Sequence, residues 1–270
     1  MELYLITGFL GAGKTTFLKN FARQFAGRRL RLIINEFGRA GVDGTLLREL
    51  DAALDEISNG SIFCACRLDQ FEAALEQAAA DAPDVVLVEA SGLADPPNVR
   101  RVLAQFPAVS YQGSVCVADA ARLEKVFSTA RACPRQLAVS SLVLLNKTDL
   151  ATEAQCAEAK ALILRANPAA RIRRTQFGRF EPEWLSLIVP DVDVDEVLDM
   201  PDITLQKAVL QIRPTMPFAA LQKCLVQLAG ETWRIKGFVR VPEGIFYVDC
   251  TGPEVRLTPW QGEADNRLVL

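Results

Sequence analysis

The chain has 270 residues, half of them apolar and 23% charged, with a formal net charge of −3. That mix can bury a core in one large or two modest domains and excludes a disordered chain, a collagen-like repeat and a disulfide mini-scaffold. The charge offers no general attraction to nucleic acid or anionic lipid, so neither nucleic acid nor membrane is expected as a partner. The sequence contains no histidine, which excludes Ser-His-Asp and Cys-His catalysis and histidine-rich metal sites.

In chain order, apolar runs of strand length at residues 3–7, 30–35, 85–89, 114–118 and 142–146 alternate with helix-period segments at 15–25, 68–80, 98–105, 121–130 and 153–165. Strands that are apolar on both faces, separated by helices, predict an α/β fold: a doubly wound, mostly parallel sheet with helices on both sides, occupying residues 1–185. The Asp-dense, proline-flanked stretch at 186–202 reads as an acidic linker. Residues 203–270 then predict a small α+β domain, with a strand at 204–212, a helix at 218–228 and a meander of strands at 234–241, 245–250 and 254–257. Cys116, Cys133, Cys156, Cys224 and Cys250 are scattered through apolar or helical contexts, the pattern of free thiols in a reducing compartment. With an acidic residue where a signal peptide carries basic ones, and no uninterrupted apolar run of roughly 18 residues, the expected location is cytoplasmic.

Gly8-Phe9-Leu10-Gly11-Ala12-Gly13-Lys14-Thr15 fits the G-x-x-x-x-G-K-[ST] phosphate-loop pattern, follows a predicted strand and opens a predicted helix. Backbone N–H groups of Gly8, Gly11, Ala12, Gly13 and Thr16 would line the phosphates. Lys14 would neutralise β/γ-phosphate oxygens, and the Thr15 hydroxyl would ligate Mg²⁺. Asn146-Lys147-Thr148-Asp149 closes the strand at 142–146, at the edge where a nucleotide base would lie. The Asp149 carboxylate can accept from both N1–H and the 2-amino group of guanine, whereas adenine presents an acceptor and a C–H there, so GTP/GDP is expected over ATP. Lys147 would cover the ring face and Asn146 would tie this loop to the phosphate loop. Between the two motifs, the strand at 85–89 ends in Glu89 and is followed by Gly92, the place for a metal-side acid and a glycine N–H that meets the γ-phosphate.

GFLGAGKTT, NEFGRAGVD, VVLVEASGLADP and NKTD, with RIKGFV near the end, together resemble the CobW-type GTPases of the SIMIBI class over nearly the whole chain. The resemblance implies a GTPase domain followed by a small CobW carboxyl-terminal domain, working on metal ions or on the maturation of metal-dependent or cobalamin-related proteins. It places Lys14 and Thr15 at phosphate and Mg²⁺, Glu36 and Asp43 in switch I, Glu89 at the Walker B end, Gly92 at the γ-phosphate, and Asn146, Lys147 and Asp149 on guanine. The family's usual Asn-Gly-Cys-x-Cys-Cys is altered here. Asn59-Gly60-Ser61-Ile62-Phe63-Cys64 keeps one thiol in register, and Cys66 follows two residues later.

Two cysteines spaced i, i+2 point to one side of an extended strand and could both bind a soft or borderline ion such as Zn²⁺. Glu36, a backbone group, water or a thiol of a second chain would complete the site; the other reading makes both cysteines small apolar fillers. The leading functional expectation is a slow GTP-hydrolysing metallochaperone or maturation factor, whose client is a metalloprotein or corrinoid-dependent enzyme. The alternative is a GTP-dependent regulatory switch that gates a client without carrying metal. Both leave a homodimer open.

Overall fold

The computed structural model describes residues 1–36, 53–58, 68–92, 102–190, 208–232, 234–251 and 254–270. The chain divides into two compact units, Met1–Ile203 and Thr204–Leu270.

In the first unit the strands are β1 (Glu2–Thr7), β2 (Leu30–Glu36), β3 (Ala53–Ser58), β4 (Val85–Glu89), β5 (Ser110–Asp119), β6 (Leu142–Asn146) and β7 (Arg171–Arg174). Among the described residues they form one sheet in the order β3-β2-β4-β1-β5-β6-β7, with every neighbouring pair parallel. The chain runs outward from β1 to β2 and β3, returns to β4 beside β1, then continues the other way through β5, β6 and β7. This reversal opens a crevice at the carboxyl end of β1, where doubly wound sheets bind ligands.

The helices are α1 (Lys14–Ala22), α2 (Leu68–Asp81), α3 (Leu123–Thr129), α4 (Ala132–Ala138) and α5 (Glu153–Ala166). Strand alternation assigns the two faces. Tyr4, Ile6, Leu32, Ile34, Leu87 and Val117 pack on Phe17, Leu18 and Phe21 of α1. Leu3, Leu5, Ile33, Val86 and Val88 pack on Phe71, Leu75 and Ala78 of α2. Each central strand thus buries both sets of side chains, which is why β1, β4 and β6 read as unbroken apolar runs.

Three elements depart from the pattern expected of the sequence. β3, with sequence ALDEIS, is an edge strand carrying Asp55 and Glu56, so it lacks the apolar run that marks a central strand. β7, with sequence RIRR, is the opposite edge. α4 carries Pro134 in its first turn, where a missing N–H costs no helical hydrogen bond, so a segment that looks broken by proline is helical. The first unit also continues past 185. A 3₁₀ turn at Pro182–Leu187 brings Trp184, Leu185, Leu187 and Ile188 onto the α1-side core, and Val189 N donates to Ser141 Oγ at 3.1 Å. The first residues of the expected acidic stretch are therefore core packing, and residues 191–202 lie outside the described residues. Of the expected helix at 98–105, Val102 and Leu103 are described, helical and buried.

The second unit contains β8 (Val209–Gln211), α6 (Phe218–Glu231), β9 (Arg234–Val241), β10 (Gly244–Thr251), β11 (Glu254–Pro259) and β12 (Arg267–Val269). Its sheet order is β11-β10-β9-β12-β8. The meander β9-β10-β11 is present, but the chain then crosses back so that β12 pairs with both β9 and β8. Leu221, Leu225 and Ala229 of α6 pack on Ile235, Val239, Val248 and Leu268. On the other face Phe238 lies between Tyr247 and Trp260, with ring centroids at 5.0 and 4.8 Å.

Candidate functional site

The crevice at the carboxyl end of β1 is built by three loops. In the phosphate-loop segment, Gly8, Gly11 and Gly13 all have positive φ, at 135°, 75° and 101°. Gly13 shows why side chains are excluded: a Cβ there would sit 2.6 Å from Asn146 Nδ2, besides requiring a backbone conformation that L-residues avoid. Lys14 begins α1, and its Nζ donates to the Phe9 carbonyl at 3.3 Å, so the ammonium is folded over the loop rather than extended to solvent. Thr15 follows, and its hydroxyl donates to Glu89 Oε1 at 3.3 Å. A hydroxyl and a carboxylate are thereby adjacent at the start of a helix, an all-oxygen pair of the kind hard divalent cations take.

Glu89 ends β4 and is buried. Past it, Ala90 N donates to Ile6 O at 2.9 Å, and Ser91 N donates to Asn35 Oδ1 at 3.3 Å. Gly92 comes next and lies against the phosphate loop.

The base-side loop follows β6. Asn146 is 2% exposed and bridges three segments: its Nδ2 donates to the Ala12 carbonyl at 2.9 Å, and its Oδ1 accepts from Gly178 N at 3.0 Å. Lys147 has φ 59°, and its ammonium pairs with Asp119 Oδ2 at 3.0 Å, at the end of β5. Asp119 Oδ1 also accepts from Ala121 N at 3.1 Å, so the acid is itself oriented. Asp149 is exposed beyond them.

The residues singled out from sequence in these loops therefore converge. Of the others, Glu36 is the last residue of β2, and Asp43, Cys64 and Cys66 lie outside the described residues. Among the described residues no group of three acids, cysteines or histidines is placed to hold a metal ion. Burial pushes the Cys116 thiol up to about 12, Cys250 up to about 11, and Cys133 well above its ordinary value. These are poor ligands, because a bound metal needs the thiolate. No disulfide joins Cys116, Cys133, Cys156, Cys224 or Cys250.

Two contributors were not visible as motifs. Asp119 closes a strand in the manner of Glu89, and that was its only sequence signal. The loop after β7 is pinned from three sides: Asn20 Nδ2 donates to the Phe177 and Gly178 carbonyls at 3.1 and 2.9 Å, Asn146 holds Gly178 N, and Thr148 N donates to Thr175 O at 3.3 Å. Phe177 is held at φ 56° with its side chain 63% exposed.

Residues 2–174 match the family model described as CobW/HypB/UreG, nucleotide-binding domain. The chain belongs to the CobW/HypB/UreG family. Within it, the chain is 32% identical over 205 residues to the zinc chaperone CobW of Pseudomonas aeruginosa, covering 63% of this chain and 55% of that protein. It is 26% identical over 226 residues to the zinc chaperone YjiA of Escherichia coli, covering 80% of this chain and 66% of that protein. The matched stretch thus spans about half to two thirds of these curated relatives. The crystal structure of the Zn(II)-bound YjiA GTPase from E. coli superposes with a TM-score of 0.51 at 18% identity, covering 100% of this chain and 92% of that one, which shows a shared fold. Doubly wound sheets of this kind carry their ligands outside the carboxyl ends of the strands, the edge at which these loops meet. No helix among the described residues is long and apolar enough to cross a membrane.

Proposed function

We propose that this chain binds GTP with Mg²⁺, hydrolyses it slowly, and couples hydrolysis to the handling of Zn²⁺ for a client metalloprotein or corrinoid-dependent enzyme in the cytoplasm. The observation that carries the nucleotide half is the junction at Asn146, where one buried amide joins the phosphate loop, the base loop and the loop after β7. Such a junction aligns a phosphate cradle with a base pocket, so one rigid ligand meets both.

In this reading Lys14, with the N–H groups of residues 11–16, neutralises the phosphates. Thr15 and Glu89 supply the oxygen donors that would hold Mg²⁺, which when bound spreads the charge of the β- and γ-phosphates. The Lys147 stem covers the base while its ammonium stays anchored on Asp119. Asp149 reads guanine. Positioning and charge supply the catalysis, and hydrolysis is slow because no residue stands out in the sequence to orient the attacking water. Titration with GTP and ATP tests the specificity: tighter binding of GTP is expected, equal affinities would refute it, and Asp149→Asn should move the preference toward xanthine nucleotides.

The zinc half is supported by the printed names of the curated relatives, which are zinc chaperones. Burial holds the Cys116, Cys133 and Cys250 thiols above their ordinary range, which takes three of the seven cysteines out of contention as ligands, and Cys64 and Cys66 are the pair whose spacing lets two thiolates share one ion. Loss of the γ-phosphate would relax the segments on either side of these cysteines and weaken their grip on the ion. A competitive Zn²⁺ titration of the wild type against a Cys64→Ser/Cys66→Ser variant checks this. Identical affinities would favour the second reading, a GTP-dependent switch that gates its client without metal, for which the replacement of two family cysteines by Ser61 and Phe63 speaks.

A further inference from the structure

The carbonyl of Gly92 is held from outside every motif read from the sequence. It accepts a hydrogen bond from Gln136 Nε2 at 3.2 Å, and Gln136 is 1% exposed. A Cβ on Gly92 would lie 2.6 Å from Leu10 N and 2.5 Å from Leu10 Cδ2, so the backbone there rests directly on the phosphate loop.

The helix carrying Gln136 is fixed to the sheet. Ser140, just past α4, donates to the Gln136 carbonyl at 2.7 Å, and its oxygen lies 3.0 Å from Ser114 Oγ on β5 and 3.3 Å from Thr7 Oγ1 at the end of β1. Asn167 Nδ2 meets the carbonyls of Leu137, Ala138 and Ser140 at 3.2, 3.2 and 2.9 Å. The last carbonyls of a helix lack donors from a following turn, so the Asn167 amide supplies them to Leu137 and Ala138 and ties the end of α4 to Ser140 beyond it. Thr7 is also the residue before Gly8, so the hydroxyl network fixes α4 against the root of the phosphate loop.

Gly92 has the freest backbone of any residue type, yet both peptides flanking its own N–H are held. The preceding peptide is tied through Ser91 N to Asn35, and the following one through Gly92 O to Gln136. Fixing both neighbours leaves the Ser91–Gly92 peptide little freedom to rotate.

We propose that Gln136 is a positioning residue for Gly92: by holding the Gly92 carbonyl it aims the Gly92 N–H at the γ-phosphate, and it thereby sets how strongly the site prefers GTP over GDP. This rests on the GTP reading above. Gln136 touches no part of the nucleotide; it acts through the glycine.

The test measures GDP and a non-hydrolysable GTP analogue, both with Mg²⁺, against the wild type, Gln136→Met and Gln136→Asn. The first variant keeps volume and removes the donor, and the second keeps the amide but shortens its reach. The expected result is GDP affinity within about threefold of wild type and analogue affinity weaker by about tenfold or more, the scale of one oriented hydrogen bond to a charged group. Equal losses for both nucleotides, or an unchanged preference, would overturn the proposal. A second measurement needs no variant: amide hydrogen exchange of the wild type, in which Gly92 N–H is expected to be protected by the analogue and not by GDP. Equal exchange in the two complexes would also overturn it. A wild type that binds neither nucleotide refutes the GTP reading itself, which separates the two failures.

Discussion

The two ends of the parallel sheet are held together by different chemistry. At the amino end the contacts are ion pairs: Arg28 with Glu2 at 2.9 Å, Arg29 with Asp84 at 3.1 Å, and the buried Arg31 with both Asp55 and Asp81. At the carboxyl end most contacts between loops are neutral hydrogen bonds made by Asn146, Asn35 and Gln136, set among positive-φ glycines. Neutral amides there join one loop to another and fix how the loops face each other. Charge at the other end is used up within the fold. A substitution among the amino-end ion pairs should therefore cost stability and leave binding alone, whereas one at the carboxyl end should change binding.

The largest expected effect is Lys14→Ala, which removes the phosphate-loop cation. GTP affinity should fall by about a hundredfold or more with little change in melting temperature, read by nucleotide titration beside a thermal melt. Asn146→Ala should affect both readouts, because it leaves the Ala12 carbonyl and the Gly178 N–H without their partner. A loss of about 2–3 kcal/mol in denaturant unfolding together with weaker GTP binding is the expected pair. Arg31→Met should destabilise by about 2–3 kcal/mol with GTP affinity unchanged. That is below the roughly 3–5 kcal/mol of a fully buried pair because Asp55 and Asp81 keep 29% and 52% exposure. An Arg31 variant that folds and has lost GTP affinity would break the division between the two ends.

The smallest effect concerns Asp84, whose carboxyl is held below the usual carboxylate range by hydrogen bonds from the Arg29 side chain and backbone. A depressed folded pKa contributes stability above the unfolded value of about 4, and this is lost as the pH falls through the folded value. The thermal-stability difference between wild type and Arg29→Gln should therefore be slight at neutral pH and shrink further in acid. A difference that grew in acid would reverse the assigned sign.

Legibility from sequence follows burial. β1, β4 and β6 are apolar on both faces and stand out; β3 and β7 are edges whose charged residues, Asp55 and Glu56 in one and three arginines in the other, hide them. The phosphate-loop and NKTD residues were legible because each needs a fixed residue type at a fixed spacing. Asp119, Asn20, Gly178 and Gln136 were not, because each is a single polar or small residue whose role depends on what the fold brings opposite it. In the second unit the three strands of the meander were legible, while β12 was not: three residues carry too little pattern, and only pairing with β9 and β8 makes them a strand.

The sequence by itself determined the alternation of strands and helices, the two nucleotide motifs and the exclusion of histidine chemistry, because these depend on local spacing and residue type. The tertiary structure decided which loops meet. Asn146 becomes a junction only where β6 ends beside the phosphate loop and the loop after β7, and Gln136 reaches Gly92 only because α4 packs across the end of β1. Such contacts join residues far apart in the chain, and no local pattern encodes them; the order of strands in the sheet does.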